Sequence, residues 1–178
     1  MIFFGHLGLT TGIIKVYEKA AHKDEGLIDY RVVLTGSLLP DIIDKPIGAF
    51  LFRNTFHNSR IFSHTLLFAG LLTLAGIYFL RKYKKNNMLL LGICSFIHLL
   101  LDSMWEYPAI LFWPYFGWKF PVRPEGNWMQ ESLLRFVTDP GYYIPEFIGF
   151  IIIAYYFIKL AKNKQLKTFV RHGTCHID

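Results

Sequence analysis

Five ionisable residues stand inside or beside hydrophobic stretches of the chain. His64 lies in RIFSHTLLF, His98 and Asp102 lie in HLLLD, and Asp41 and Asp44 lie in SLLPDIID. An ionisable group at membrane depth is costly, so each of these residues is a candidate for function. Imidazole and carboxylate ligands suit zinc, manganese or iron, and the set contains no thiolate. The residue types therefore predict a site for one or two divalent metal ions, with zinc as the first choice.

The spacing of these residues allows them to share a ligand. His98 and Asp102 are four residues apart, so on a helix they lie on one face, a turn from each other. Both can reach one metal ion, or Asp102 can orient the imidazole from behind. Asp41 and Asp44 are three residues apart in a segment bracketed by prolines, so both carboxylates can face one point. We expect four of the residues to bind the metal: His64, His98, Asp102 and Asp41.

The composition and the apolar runs indicate the elements that must hold these residues. Of the 178 residues, 53% are hydrophobic and 18% are charged, against about 25% charged in soluble domains. The apolar residues are concentrated in runs, which is typical of a membrane protein. Three runs are long enough to span a bilayer: Ile61–Leu80, Met88–Met104 and Ile144–Leu160. We therefore predict an all-α, polytopic helical membrane protein with three transmembrane helices.

The first forty residues predict a helical hairpin beside these spans. Met1–Tyr17 and Leu27–Pro40 are apolar, and the charged turn Ala21–Gly26 separates them. The second segment is shorter than the roughly 20 residues that a full span needs. We expect the hairpin to pack against the membrane bundle, in one domain over residues 1–162. Residues 163–178 are polar and predict a flexible C-terminal tail.

The formal net charge of +6 comes from Lys and Arg residues that flank the apolar runs. Such residues are membrane-edge anchors and topology signals rather than a nucleic-acid surface. The basic loop after the first spanning run and the basic C-terminal tail are expected to be cytoplasmic, in a multi-pass protein of the cell membrane. The lipid bilayer is then the expected partner, and no nucleic acid is.

The same topology brings two more candidates to the level of the metal site. His6 begins the first helix of the hairpin on that side, and Glu146 begins the last spanning run there. We expect His6 and Asp44 to complete the site or to support its ligands, and Glu146 to act as a general acid or base. Other roles stay open: a packing histidine at His6, a helix cap at Asp44, an interfacial carboxylate at Glu146, and an ion pair of Asp102 with Arg135.

The ordered motifs resemble those of the membrane-bound metal-dependent hydrolase family, which includes the YdjM-like inner-membrane proteins. The matching pieces are FFGHLGLTTG, GSLLPDIIDKP, RIFSHTLLF, HLLLDSMWE and LFWPYFGW, which run from Phe3 to Gly117. The commoner form of that family has a shorter acidic motif, PDxD, and a His where Ser59 stands here. The chain is similar to the subgroup with PDxxDKP and SHT.

The resemblance implies a helical membrane protein with a His/Asp metal centre and a hydrolytic activity. Carried over by motif, the residues of that centre are His6, Asp41, Asp44, His64, His98 and Asp102. We therefore expect hydrolysis of an ester or phosphoester, including a lipid-linked one, by a metal-activated water. The substrate would be a small molecule or a lipid near the outer membrane edge.

Two other functions are compatible with the same sequence. A metal or ion transporter could use the same His and Asp residues as a translocation site. The almost purely apolar inner halves of two runs, Leu71–Leu80 and Met88–Ser95, favour an enzyme with one open side instead. A non-catalytic membrane adaptor would bind a cytosolic partner through the basic loops and would not need the His and Asp residues.

Overall fold

The chain folds as a helical bundle in the computed structural model, which describes residues 3–21, 28–122 and 134–174. Within these residues every regular element is a helix and none is a strand, which confirms the all-α prediction for this part of the chain. The longer helices are α1 (Phe4–Ala20), α2 (Tyr30–Asp44), α3 (Leu66–Tyr83), α4 (Asn87–Leu101), α5 (Pro140–Lys162) and α6 (Leu166–His172). Shorter helical turns occupy Lys45–Leu51, which is π-helical, Arg53–Phe56, Met104–Glu106, Pro108–Leu111 and 134–138.

Two helices in the described residues are long and apolar enough to cross a membrane, not the three that we predicted. They are α3 with 18 residues and α5 with 23 residues. The predicted span Met88–Met104 corresponds to α4, which has only 15 residues. At about 1.5 Å per residue this helix is about 22 Å long, short of a hydrocarbon core of about 30 Å. α4 ends early because the chain turns at Ser103, which has a left-handed φ of 51°.

The helices pack in the order α3, α4, α2, α1 and α5, with α4 next to α2 and α1 between α2 and α5. Glycines allow the closest approaches. A Cβ at Gly8 of α1 would overlap the backbone of Gly149 in α5, and one at Gly92 of α4 would overlap Thr73 in α3. Small residues at such crossings are typical of helix packing in membranes. α1 and α2 form the predicted N-terminal hairpin, and this order brings the ends of α1, α2 and α4 together.

The predicted flexible tail differs from the structure in its described part. Residues 166–172 form α6, and the Arg31 guanidinium donates hydrogen bonds to the carbonyls of Val170 and Arg171, each at 2.9 Å. The Gly173 carbonyl accepts a bond from the Tyr30 N–H at 2.8 Å. These bonds hold this part of the tail against the first turn of α2. The last four residues lie outside the described ranges, and the domain boundary at residue 162 stays a prediction.

Candidate metal centre

Three imidazoles and two carboxylates meet where α1 begins and where α2 and α4 end. His6 belongs to α1, Asp41 to the last turn of α2 and His98 to α4. Asp102 is the first residue after the end of α4. His64 comes from the loop that precedes α3. The three histidines are fully buried, and both aspartates are less than a tenth exposed. The tertiary structure thus gathers residues that are up to 96 positions apart, from His6 to Asp102, at one end of the bundle.

The ring orientation of His98 is set by a backbone carbonyl. His98 Nδ1 lies 2.7 Å from the carbonyl oxygen of Ser37, which can only accept a hydrogen bond. The proton of the neutral imidazole is therefore on Nδ1, and Nε2 presents its lone pair. That Nε2 lies 3.3 Å from the Nε2 of His64. Two ligand nitrogens of one tetrahedral zinc, each about 2.0 Å from the ion, would be separated by about 3.3 Å.

Asp44 organises the loop that carries His64. Its carboxylate accepts the side-chain bond from His64 Nδ1 at 2.7 Å and backbone N–H bonds from Ile61 at 2.7 Å and Ser63 at 3.0 Å. These contacts leave His64 Nε2 pointing at His98. α2 continues through Pro40, and this continuity places Asp41 and Asp44 in one helical turn. Asp44 thus lies behind His64, in the supporting position that we considered for it.

The cluster offers two overlapping sets of possible metal ligands. One set is Asp41, His64 and His98, and the other is His6, His98 and Asp102; within each set the three ligand atoms lie within 4.8 Å of one another. Two imidazole lone pairs that face each other repel unless a cation or a proton lies between them. The donor types and this convergence fit a divalent ion such as zinc, and the shared His98 is compatible with one ion or a close pair.

His6 supplies a further sign that the cluster is incomplete without a ligand. Its ring stacks on that of His98, with centroids 4.0 Å apart, and its Nε2 is 3.2 Å from Asp102 Oδ1. Its Nδ1 is buried and has no hydrogen-bond partner among the described residues. A buried polar atom without a partner is rare in a stable fold and calls for an explanation such as an ion or a water.

Two cations that sequence reasoning did not assign to the site touch its carboxylates. Lys45 Nζ lies 2.7 Å from Asp41 Oδ2, and Arg60 Nη2 lies 2.6 Å from Asp102 Oδ2. Burial alone would raise the pKa of the Asp102 carboxyl, but the contacts with His6 and Arg60 outweigh it and hold that pKa below its usual range. The spacing of four residues from Asp41 to Lys45 could have indicated the first pair. No local signal indicates Arg60, which takes the place that we considered for Arg135.

Glu146 is near the cluster but belongs to neither ligand set. It is buried in α5, and its carboxylate accepts hydrogen bonds from the backbone N–H groups of Phe3 at 3.1 Å and Phe4 at 2.8 Å. A negative charge at the start of a helix is stabilising, so Glu146 anchors α1 two residues before His6. Its role as a general acid or base stays a prediction.

The comparison with protein families agrees with this architecture. The model of the YdjM inner membrane protein family matches residues 1–166, which include α1 to α5 and every residue of the cluster. The chain belongs to this family. Membership in the YdjM family, together with the apolar helices α3 and α5, identifies a membrane protein. The YdjM resemblance inferred from the motifs is thereby confirmed. No curated protein and no solved structure matches the chain.

Proposed function

We propose that the protein is a membrane-embedded, metal-dependent hydrolase that acts on an ester or a phosphoester. The observation that carries this proposal is the convergence of His64 Nε2 and His98 Nε2 at 3.3 Å beside the Asp41 carboxylate. Asp41, His64 and His98 would hold a divalent ion, with His6 and Asp102 as ligands of the same ion or a second one. Such an ion supplies a Lewis acid and an activated water nucleophile at neutral pH.

The chain's own groups prepare the site for this chemistry. Asp44 and the Ser37 carbonyl each hold one imidazole in the tautomer whose Nε2 is free. The carboxylates of Asp41 and Asp102 bring negative charge to a buried position, where its attraction for a cation is strong. Asp41, Asp44 and His98 come from helices, which position side chains more precisely than loops do. Glu146, close to the start of α1, is the candidate acid or base.

The charges at the two ends of the bundle support a multi-pass topology. His64 lies just before α3, and the basic residues Arg81, Lys82, Lys84 and Lys85 lie at its other end. α5 likewise begins near Glu146 and ends at Lys159 and Lys162. By the positive-inside rule, the basic loops and the C-terminal tail are cytoplasmic, and the centre lies towards the opposite face of the membrane. The substrate would be a small molecule or a lipid that reaches that face.

Metal analysis of the detergent-purified protein tests this proposal. We expect zinc or manganese to copurify with the wild type, and His98→Ala and Asp41→Asn to lose most of it. The matched controls are His57→Ala and Asp29→Asn, which change the same residue types away from the cluster and should keep the metal. Equal metal content in all five proteins would refute the site. Hydrolysis of model esters and phosphoesters that stops on chelation would support the activity.

A second candidate function, ion or proton transport, is favoured by buried hydroxyls that lie one helical turn deeper in the bundle than the imidazoles. Thr10 lies one turn from His6 along α1, and Ser95 lies one turn from His98 along α4, both further from the centre's end of the bundle. Both are fully buried, and neither hydroxyl has a hydrogen-bond partner among the described residues. Glu18 is also buried, about two turns further along α1. Metal or proton flux through proteoliposomes, lost in His98→Ala, would favour this function over hydrolysis.

A further inference from the structure

We propose that Lys45 and Arg60 recognise the phosphate group of a lipid substrate at the mouth of the His/Asp centre. This inference rests on the proposed hydrolase function and narrows its substrate to a phosphorylated lipid. Four observations carry it: the oxygens that the two cations contact, their exposure, the charge balance of the centre and the apolar surface around it.

Each cation binds the outer oxygen of a carboxylate whose inner oxygen faces an imidazole. Asp41 presents Oδ1 to His64 Nε2 at 3.5 Å and Oδ2 to Lys45 at 2.7 Å. Asp102 presents Oδ1 to His6 at 3.2 Å and Oδ2 to Arg60 at 2.6 Å. Both carboxylates also lie within 4 Å of the same His64 Nε2, so Lys45 and Arg60 border one site.

Exposure increases from the imidazoles outwards to the cations. The side chain of Lys45 is 44% exposed and that of Arg60 is 16% exposed, whereas those of Asp102 and His64 are 2% and 0% exposed. The two cations are thus on the accessible side of the carboxylates. A substrate that approaches from that side meets an ammonium and a guanidinium before it meets the ligand set.

The charge balance favours an anionic substrate over a neutral ester. Asp41, Asp44 and Asp102 contribute three negative charges and Lys45 and Arg60 two positive ones, a net charge of −1 with neutral imidazoles. One divalent ion would make the total +1. Lys45 and Arg60 also keep donors for a ligand, since an ammonium has three N–H donors and a guanidinium five, and Arg is the residue best suited to bind a phosphate with two hydrogen bonds.

The surface beside both cations is apolar and points to a lipid rather than a free phosphate. Lys45 begins the π-helical segment, and the next residues along the chain include Phe50 and Leu51, which are 69% and 72% exposed. The Arg60 guanidinium lies 5.7 Å from the ring centre of Tyr107, and Trp105, two residues earlier in the chain, is exposed. Exposed aromatic and aliphatic side chains of this kind mark the membrane interface. A lipid whose phosphate binds at the mouth of the centre could therefore keep its acyl chains in the bilayer.

Lipid binding in nanodiscs tests the inference. The zinc-loaded full chain is placed in phosphatidylcholine discs that contain phosphatidic acid, whose terminal phosphate monoester phosphatidylcholine lacks, and binding to phosphatidic acid is titrated. We expect Lys45→Gln and Arg60→Gln each to weaken this binding about tenfold, as the loss of a charge-assisted hydrogen bond would. Arg60→Lys should retain part of it. The matched controls Lys84→Gln and Arg81→Gln, at the other end of α3, should bind as the wild type does.

The outcomes separate this inference from the proposed function. A Lys45→Gln/Arg60→Gln protein that keeps its metal and binds phosphatidic acid normally would overturn the inference and leave the hydrolase proposal standing. If the wild type contains no metal but its binding of phosphatidic acid still depends on both Lys45 and Arg60, the phosphate site is supported and the hydrolase proposal is not. Equal affinity for soluble glycerol phosphate would overturn the lipid assignment.

A measurement on the wild type covers the case in which the variants do not fold. Phosphatidic acid should slow the acetylation of Lys45 but not of Lys84, as followed by mass spectrometry. Equal rates at both lysines, with and without the lipid, would contradict the inference.

Discussion

The two ends of the bundle each bury ionisable groups, but only one end satisfies them internally. At the far end of α1, the Glu18 carboxylate pairs with Lys15 at 2.7 Å and accepts a hydrogen bond from the Tyr30 hydroxyl at 2.8 Å. Lys15 also lies over the Tyr30 ring. One anion and one cation balance there, and the carboxylate, the ammonium and the Tyr30 hydroxyl each have a partner. A structural role accounts for this cluster, since a buried charge is tolerated when it is paired and hydrogen-bonded.

The opposite end has an excess of carboxylates and imidazole nitrogens that face each other. His64 Nε2 and His98 Nε2 are 3.3 Å apart, and His6 Nδ1 has no partner among the described residues. Burial alone therefore does not mark a functional site. What distinguishes the His/Asp centre is a set of buried imidazole and carboxylate ligand atoms that lie close enough together to hold a cation. The two clusters can therefore be separated by experiment.

The largest effect is expected for Asp44→Ala. The change removes the partner of His64 Nδ1 and leaves the Ile61 and Ser63 N–H groups buried without an acceptor. We expect a loss of about 3–5 kcal/mol in unfolding free energy and loss of metal binding. Denaturant unfolding in detergent and elemental analysis measure the two effects. Normal metal content in this variant would show that the orientation of His64 does not matter for the site.

Metal removal is expected to have the next largest effect. Zinc at about 100 times its Kd should stabilise the wild type by about 2.7 kcal/mol, because it binds only the folded centre. The measurement is the shift of Tm between chelated and zinc-saturated protein. His98→Ala should show little of this shift, whereas the control His57→Ala should show all of it. A zinc shift that is unchanged in His98→Ala would place the ion elsewhere.

A smaller effect is expected at the other end of the bundle. Glu18→Gln keeps an acceptor for Tyr30 but removes the ion pair with Lys15. We expect a loss of about 1–2 kcal/mol in stability with no change in metal content or in the zinc-dependent Tm shift. The same unfolding and metal measurements apply. A parallel loss of metal would mean that the two clusters are coupled and would weaken the contrast between them.

The smallest effect on stability is expected for Thr10→Val, between the two clusters. The variant keeps the shape of the side chain and removes a buried hydroxyl that has no partner among the described residues. We expect a change below about 1 kcal/mol and unchanged metal binding. Flux in proteoliposomes gives the sharper reading: a variant that keeps its metal but loses transport would establish the second candidate function.

Much of the fold and most members of the cluster were predictable from local sequence. The helical hairpin and the apolar helices α3 and α5 correspond to runs of hydrophobic residues. Such runs can be recognised from neighbouring positions in the sequence alone. The residues that meet at the centre stood out because ionisable groups are rare within such runs. The length of α4 was overestimated, since an apolar run does not reveal the turn at Ser103 that ends the helix. The docking of α6 was missed because it depends on Arg31, far away along the chain.

Hydrophobicity and helical spacing act over a few neighbouring residues, so the amino-acid sequence alone shows which residue types stand in apolar surroundings. The contacts of each residue depend instead on the tertiary structure. Asp44 faces His64 across a loop, Asp102 pairs with Arg60, and Glu146 meets the start of α1. These contacts depend on where helix ends come together, which the glycine crossings and the packing of whole helices set.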